Sequence, residues 1–106
     1  MSPMASVTPV ELARRLGQPD VPVVLDVRTR PEYDAGHVPG AINIPFGEIG
    51  TRAGEIPSKG RNELVVYCGH GPRAWIAAAR LRRLGYRQVV YLRGHWAAWQ
   101  RQRLSD

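Results

Sequence analysis

Three scarcities narrow what this chain can be. It has one cysteine, Cys68, in 106 residues, so no internal disulfide can form and no zinc site of the paired-cysteine kind is available. It has no stretch approaching the ~18 apolar residues of a membrane span. Its opening residues, MSPMASVTPVELARRLG, lack the basic region leading into an apolar one that marks a secretory leader. These gaps predict a soluble, cytoplasmic chain that carries a free thiol and meets no membrane; no metal or organic cofactor is expected. Lysine is also scarce, with Lys59 the only one among 15 basic residues.

What is present is ordinary in bulk. The hydrophobic share of 43% and charged share of 23% fit a soluble globular protein. The length fits one domain, residues 1–106, able to bury roughly 65% of the surface its unfolded form exposes. The net charge of +6 favours anionic partners through long-range attraction. The arginines stand singly or in pairs, as Arg14 with Arg15 and Arg82 with Arg83, and no nucleic-acid motif accompanies them, so no nucleic-acid partner is expected.

Helix and strand signals alternate along the chain, with no repeat or linker. Thr8, Pro9 and Glu11 form a helix start of the capping-box kind, and Gly17 is a stop. A short strand around Ala5 to Val7 precedes this helix. Val21 to Val27 is apolar on both faces apart from Asp26, which predicts a strand buried between helical layers. Thr29 and Glu32 open a second capped helix that ends at Gly36, and AINIP reads as a brief strand. Between Phe46 and Gly60, glycines and Pro57 weaken any helix. Leu64 to Cys68 is a second buried strand. After it, Ala74, Ala77, Ala78, Leu81 and Leu84 recur at helical spacing. Gly85 ends that helix, with Tyr86 placed to pack back on Leu81. QVVYL then forms a strand, and HWAAWQRQRL a last helix in which Trp96 and Trp99 are expected in the core. The pattern predicts an α/β fold with a mainly parallel sheet flanked by helices, whose ligands bind beyond the carboxyl ends of the strands. Cys68 stands at such an end.

The stretch VVYCGHGPRAW, residues 65–75, carries the chemistry. Gly69 and Gly71 let the backbone curl so that amide N–H groups can point inward as an anion nest. Pro72 fits the first turn of a helix, whose N-terminal amides and dipole favour a thiolate. A cation is opposed by that dipole, so Arg73 is better explained as a partner for bound negative charge. Cys68 is thereby the candidate nucleophile, expected to be accessible and cupped by main-chain donors. The loop and helix-start groups of Gly69, His70, Gly71, Arg73 and Ala74 are the candidate substrate-binding elements. His70 can donate to substrate or stand solvated. Trp75 lies off the apolar stripe, where it can wall the mouth of a pocket or pack on the surface.

The segment from Cys68 to Arg73 resembles the active-site loop of the rhodanese-like sulfurtransferases. LDVRTRPEYDAGHVPGAINIP resembles that family's upstream signature, and LRGHWAAW its closing segment, with His95 standing where the pattern has a second glycine. The resemblance implies a three-layer fold and a mechanism. Cys68 would take a sulfane sulfur from a small anionic donor such as thiosulfate, hold it as a persulfide, and pass it to a thiol or cyanide acceptor, or to a protein acceptor. The loop amides would hold the persulfide's charge and Arg73 the donor's anionic end. Asp26 and Arg28 match the family's Asp-x-Arg, which implies a bracing role for the loop, while their own chemistry reads more simply as a structural ion pair. His37, in the Gly-His-x-Pro turn, also reads as structural. Family members often carry arginine directly after the cysteine; Gly69 here removes one positive charge from the loop.

Two other activities share this outline. Some dual-specificity phosphatases have the same fold, but their loops resemble Cys-x5-Arg, and the shorter Cys-x4-Arg spacing here suits sulfur better than a phosphoryl group. The fold also serves as a non-catalytic interaction module, although inactive relatives typically lack the cysteine that this chain keeps.

Overall fold

The computed structural model describes residues 5–57 and 63–102. Five strands form one sheet in the order β1-β5-β4-β2-β3: β1 is Ser6–Val7, β2 Val23–Asp26, β3 Ile42–Asn43, β4 Leu64–Tyr67 and β5 Val89–Leu92. Every pairing is parallel. Such pairing needs crossovers, and each one contains a helix: α1 Pro9–Arg15, α2 Arg30–Ala35, α3 Ile49–Arg52 and α4 Pro72–Arg83, while α5 His95–Gln102 follows the last strand. The sheet is therefore covered on both faces.

Strand alternation sorts the core into two halves. Leu25, Val27, Leu64, Val66 and Cys68 face α3 and α4, where Ile49, Ala74, Ala77, Ala78 and Leu81 meet them. Val24, Val65 and Tyr67 face the other way, onto Leu12 of α1 and Trp99 of α5. Adjacent residues at the end of β4 thus serve different layers. Tyr67 belongs to the α1–α5 side and Cys68 to the α4 side.

Both capping boxes form. Thr8 Oγ1 accepts the Glu11 N–H at 3.1 Å while Glu11 accepts the Thr8 N–H at 3.0 Å, and Thr29 with Glu32 repeats the arrangement. The end of α4 is a Schellman turn, in which the Tyr86 N–H donates to the Leu81 carbonyl and the Gly85 N–H to that of Arg82.

Several expectations shift. β2 begins at Val23, leaving Val21 exposed, because the polar Gln18–Asp20 turn before it keeps that edge in water. Leu84 is exposed where α4 has already ended. Phe46 to Glu55 folds as two 3-10 turns around the one-turn α3. Residues 58–60 of that weak segment, and Arg103 and Leu104 of the predicted last helix, lie outside the described residues. Trp99 is buried as expected, but Trp96 is only half-buried and stacks over the Arg28 guanidinium, 4.9 Å away. Among the described residues no helix is long and apolar enough to cross a membrane.

Candidate active site

Cys68 follows the last residue of a central strand, and the loop from Gly69 to Gly71 leads into α4. The Gly71 N–H donates to Cys68 Sγ at 3.0 Å. Gly71 does so at φ +137°, a conformation that L side chains rarely adopt. A Cβ there would also lie 3.2 Å from the Trp75 ring. Arg73 and Ala74 are first-turn residues of α4, so their N–H groups have no intrahelical partner. The dipole of this twelve-residue helix adds partial positive charge at the same end.

The opposite side of the loop is tied to the start of α5. The Trp96 N–H donates to the Cys68 carbonyl at 2.9 Å and the Ala97 N–H to that of Gly69 at 3.4 Å, while the Cys68 N–H donates to His95 Nδ1 at 3.2 Å. A trans peptide carries its N–H opposite its C=O. With those two carbonyls fixed toward α5, the Gly69 and His70 N–H groups point away from it.

Where the sequence predicts an accessible thiol, the structure covers it completely. Cys68 has 0% exposure and packs within the α4-side core, because a residue ending a central strand of a two-sided sheet is roofed by its own loop. Gly71 is buried, Gly69 is half-buried and His70 is exposed. Ala74 is fully buried with its methyl in the core, which leaves only its main chain for a ligand. Trp75 is 56% exposed and lies against Gly71 at the loop's edge.

Arg73 is not a free cation. Its Nη1 and Nη2 donate to Glu32 Oε1 and Oε2 at 2.6 and 3.1 Å. Its guanidinium also lies over Gly69, with Nη2 3.3 Å from where a Cβ on that residue would be. The Arg73 hydrogen bonds are the main cause that holds the Glu32 carboxyl down at about 2, so it stays ionised. Sequence spacing alone gives Glu32 as a helix cap. Its second role joins residues 41 positions apart, and no local pattern signals it.

Asp26 and Arg28 form a different cluster. Arg28 donates to both Asp26 oxygens, with Nη2 to Oδ2 at 2.7 Å, and to the Gly36 carbonyl at 2.7 Å. The Tyr67 hydroxyl donates to Asp26 at 2.8 Å and accepts the Val38 N–H at 3.0 Å. Burial first, and then the Asp26 charge, push the Tyr67 phenol up so that it remains a donor. None of these side-chain bonds reaches residues 69–73, and the cluster lies on the sheet face opposite the Cys68 side chain. His37 stacks on the Tyr33 ring, 3.7 Å between centroids.

The Cys68 end of the sheet contrasts with the other end. There, a cleft of about 540 Å³ between Arg15, Asp20, Glu63 and Gln88 lies before the starts of β2, β4 and β5. It contains no cysteine or histidine.

Comparison with known proteins bears on this loop. Residues 8–102 match the family model described as rhodanese-like domain. A protein named sulfurtransferase from Allochromatium vinosum is 37% identical over 93 residues, covering 88% of this chain and 85% of that protein. An HTH-type transcriptional regulator of Mycobacterium tuberculosis is 40% identical over 101 residues, covering 93% of this chain but 43% of its own length. Among solved structures, a rhodanese-related protein from Thermoplasma volcanium superposes with a TM-score of 0.78 at 26% identity, covering 92% of both chains. Sheet order, cysteine loop and sequence agreement over nearly the whole length lead to one assignment: this chain belongs to the rhodanese-like domain family.

Proposed function

We propose that this protein transfers a sulfane sulfur through a persulfide on Cys68. The Cys68 thiolate attacks the outer sulfur of a donor such as thiosulfate. A new S–S bond forms at Sγ, the donor's S–S bond breaks, and sulfite leaves with the electron pair. An acceptor thiolate or cyanide then attacks the outer sulfur of the persulfide, and Cys68 leaves as thiolate, so the protein ends as it began.

The observation that carries this reading is the Gly71 N–H aimed at Sγ at 3.0 Å. The outer sulfur would stand about 2 Å beyond Sγ, where the main-chain N–H groups of Gly69, His70, Arg73 and Ala74 would hold its charge. Preorganised donors of this kind stabilise charge without reorganising during the reaction. Arg73 would bind the donor's anionic end with the N–H groups that Glu32 leaves free, since a guanidinium has five. Sulfur transfer by the Allochromatium relative, as its name states, supports the same reading. A free, reduced cysteine also suits a reducing compartment such as the cytoplasm.

A protein acceptor has an observation of its own. Trp75 and Ile76 expose 56% and 48% of their surface beside the loop, a suitable contact for a macromolecule that must approach a covered sulfur. Mass spectrometry after incubation with thiosulfate tests the central step. One added sulfur, removable by reductant and absent from Cys68→Ala, is the expected result. A wild-type chain that gains no sulfur from thiosulfate or from a low-molecular-weight persulfide would overturn it.

A further inference from the structure

Two consecutive left-handed residues open α5: Gly94 at φ +74° and His95 at φ +57°. Among the described residues His95 is the only non-glycine with positive φ. Gly94 is forced, because a Cβ there would lie 2.5 Å from that of Ala98. At position 95 a glycine would hold the same backbone without strain, whereas a side chain there is strained. The imidazole must do something to offset this.

The imidazole of His95 spans the cysteine loop. Nδ1 accepts the Cys68 N–H at 3.2 Å, so it carries no proton, and the proton of the neutral ring lies on Nε2. Nε2 in turn lies 3.5 Å from where a Cβ on Gly71 would be, and Gly71 is the residue whose N–H meets Sγ. One nearly buried ring thus bonds the start of the four-residue turn and faces its end, where only a glycine's missing Cβ lies between.

We propose that His95 is a positioning residue for sulfur transfer. Its neutral imidazole fixes the Cys68 peptide through Nδ1 and backs Gly71 through Nε2, and a proton taken up at Nδ1 releases the Cys68 amide and loosens the loop. This role rests on the sulfur-transfer reading of Cys68. Facing the ring are Cys68 and His70 from the loop and Tyr91 from β5, whose ring centroid is 6.0 Å away. The Arg73–Glu32 pair beside Gly69 is neutral as a unit. Burial first, and then the charge of His70, lower the His95 pKa from the ordinary 6.5. A lowered value means the fold favours the neutral ring. The restraint is therefore complete above the ordinary histidine value and is lost only as pH falls through the lower one.

Asparagine at position 95 separates acceptor from titration, because it tolerates the left-handed backbone, offers Oδ1 to the Cys68 N–H and does not ionise. In 15N-labelled protein carrying His70→Asn, the Cys68 amide resonance should step as pH falls below the ordinary histidine range. The step should vanish when His95→Asn is added. At neutral pH, persulfide formation should stay within about threefold of wild type in His95→Asn and fall about tenfold in His95→Gly, the size of one lost hydrogen bond. Unchanged resonances away from the loop identify the glycine variant as folded. An amide that ignores His95, or a glycine variant as fast as wild type, overturns the positioning role. The amide measurement uses no sulfur donor, so a wild-type chain that never forms a persulfide defeats the sulfur-transfer reading and leaves His95 to be judged by resonance alone.

Discussion

Two arginine–carboxylate pairs stand near the carboxyl ends of the strands, and they differ in almost everything except chemistry. Asp26 and Arg28 are two residues apart, their side chains 0% and 4% exposed, with Tyr67 and the Gly36 carbonyl taking up further bonds. Arg73 and Glu32 join two helices across 41 positions, at 30% and 39% exposure. The buried pair cannot part without stranding a charge in a low-dielectric interior. The half-exposed pair can exchange its partner for water or an anionic ligand at small cost. Burial therefore divides them into a fixture and a replaceable contact, and the replaceable one lies beside Cys68.

The sharpest way to break this contrast is to remove one member of the buried pair. Asp26→Ala leaves Arg28 charged and covered and takes the acceptor from Tyr67, so a loss of about 3–5 kcal/mol is expected in denaturant unfolding. Replacing Arg28 by Met in the same chain should restore part of it, since an apolar pair of similar volume removes the stranded charge. A single variant as stable as wild type would place the two pairs in the same class.

Arg73→Ala asks the opposite question. Its expected cost to stability is at most about 1 kcal/mol, the range of exposed pairs. Use of an anionic donor should fall about tenfold to a hundredfold in kcat/KM, as for a lost hydrogen bond to a charged group. Should stability fall as far as in Asp26→Ala while donor use holds, Arg73 is a structural bolt and not a substrate contact.

The sequence makes some of this legible and hides the rest for physical reasons. The strands, the capped helices and the Schellman turn at Gly85 follow from neighbours within six residues, which local pattern records. The cysteine loop is readable because glycines, a proline and a helix start lie side by side. What escapes are relations set by the third dimension. Strand alternation puts Tyr67 and Cys68 on opposite faces, so Asp26 is bound to the neighbour of the cysteine and not to its loop. Glu32 satisfies its own helix end and Arg73 with the same carboxylate, and only the cap has a sequence signal. His95 shows as a departure from a glycine pattern, but its contact with the Cys68 amide depends on β5 lying next to β4. The full covering of Cys68 likewise comes from the packing of its own loop, which no residue spacing reports.

The smallest effect probes the replaceable pair most finely. Glu32→Gln keeps a residue that completes the capping box while removing the charge that neutralises Arg73. The gain for a thiosulfate dianion should be about three- to tenfold in kcat/KM, mostly through KM, with stability changed by less than about 1 kcal/mol. The same substitution in an Arg73→Ala chain should give little gain, because the two act through one contact. The sign of the pH dependence follows from the carboxyl held at about 2. The pair's contribution to stability is complete above the ordinary carboxylate value near 4.5 and is lost only as pH falls toward 2. The difference between wild type and Glu32→Gln in donor KM should therefore be flat across neutral pH. If Glu32→Gln leaves KM where it was, Glu32 is a cap and a strut, and the second pair is as fixed as the first.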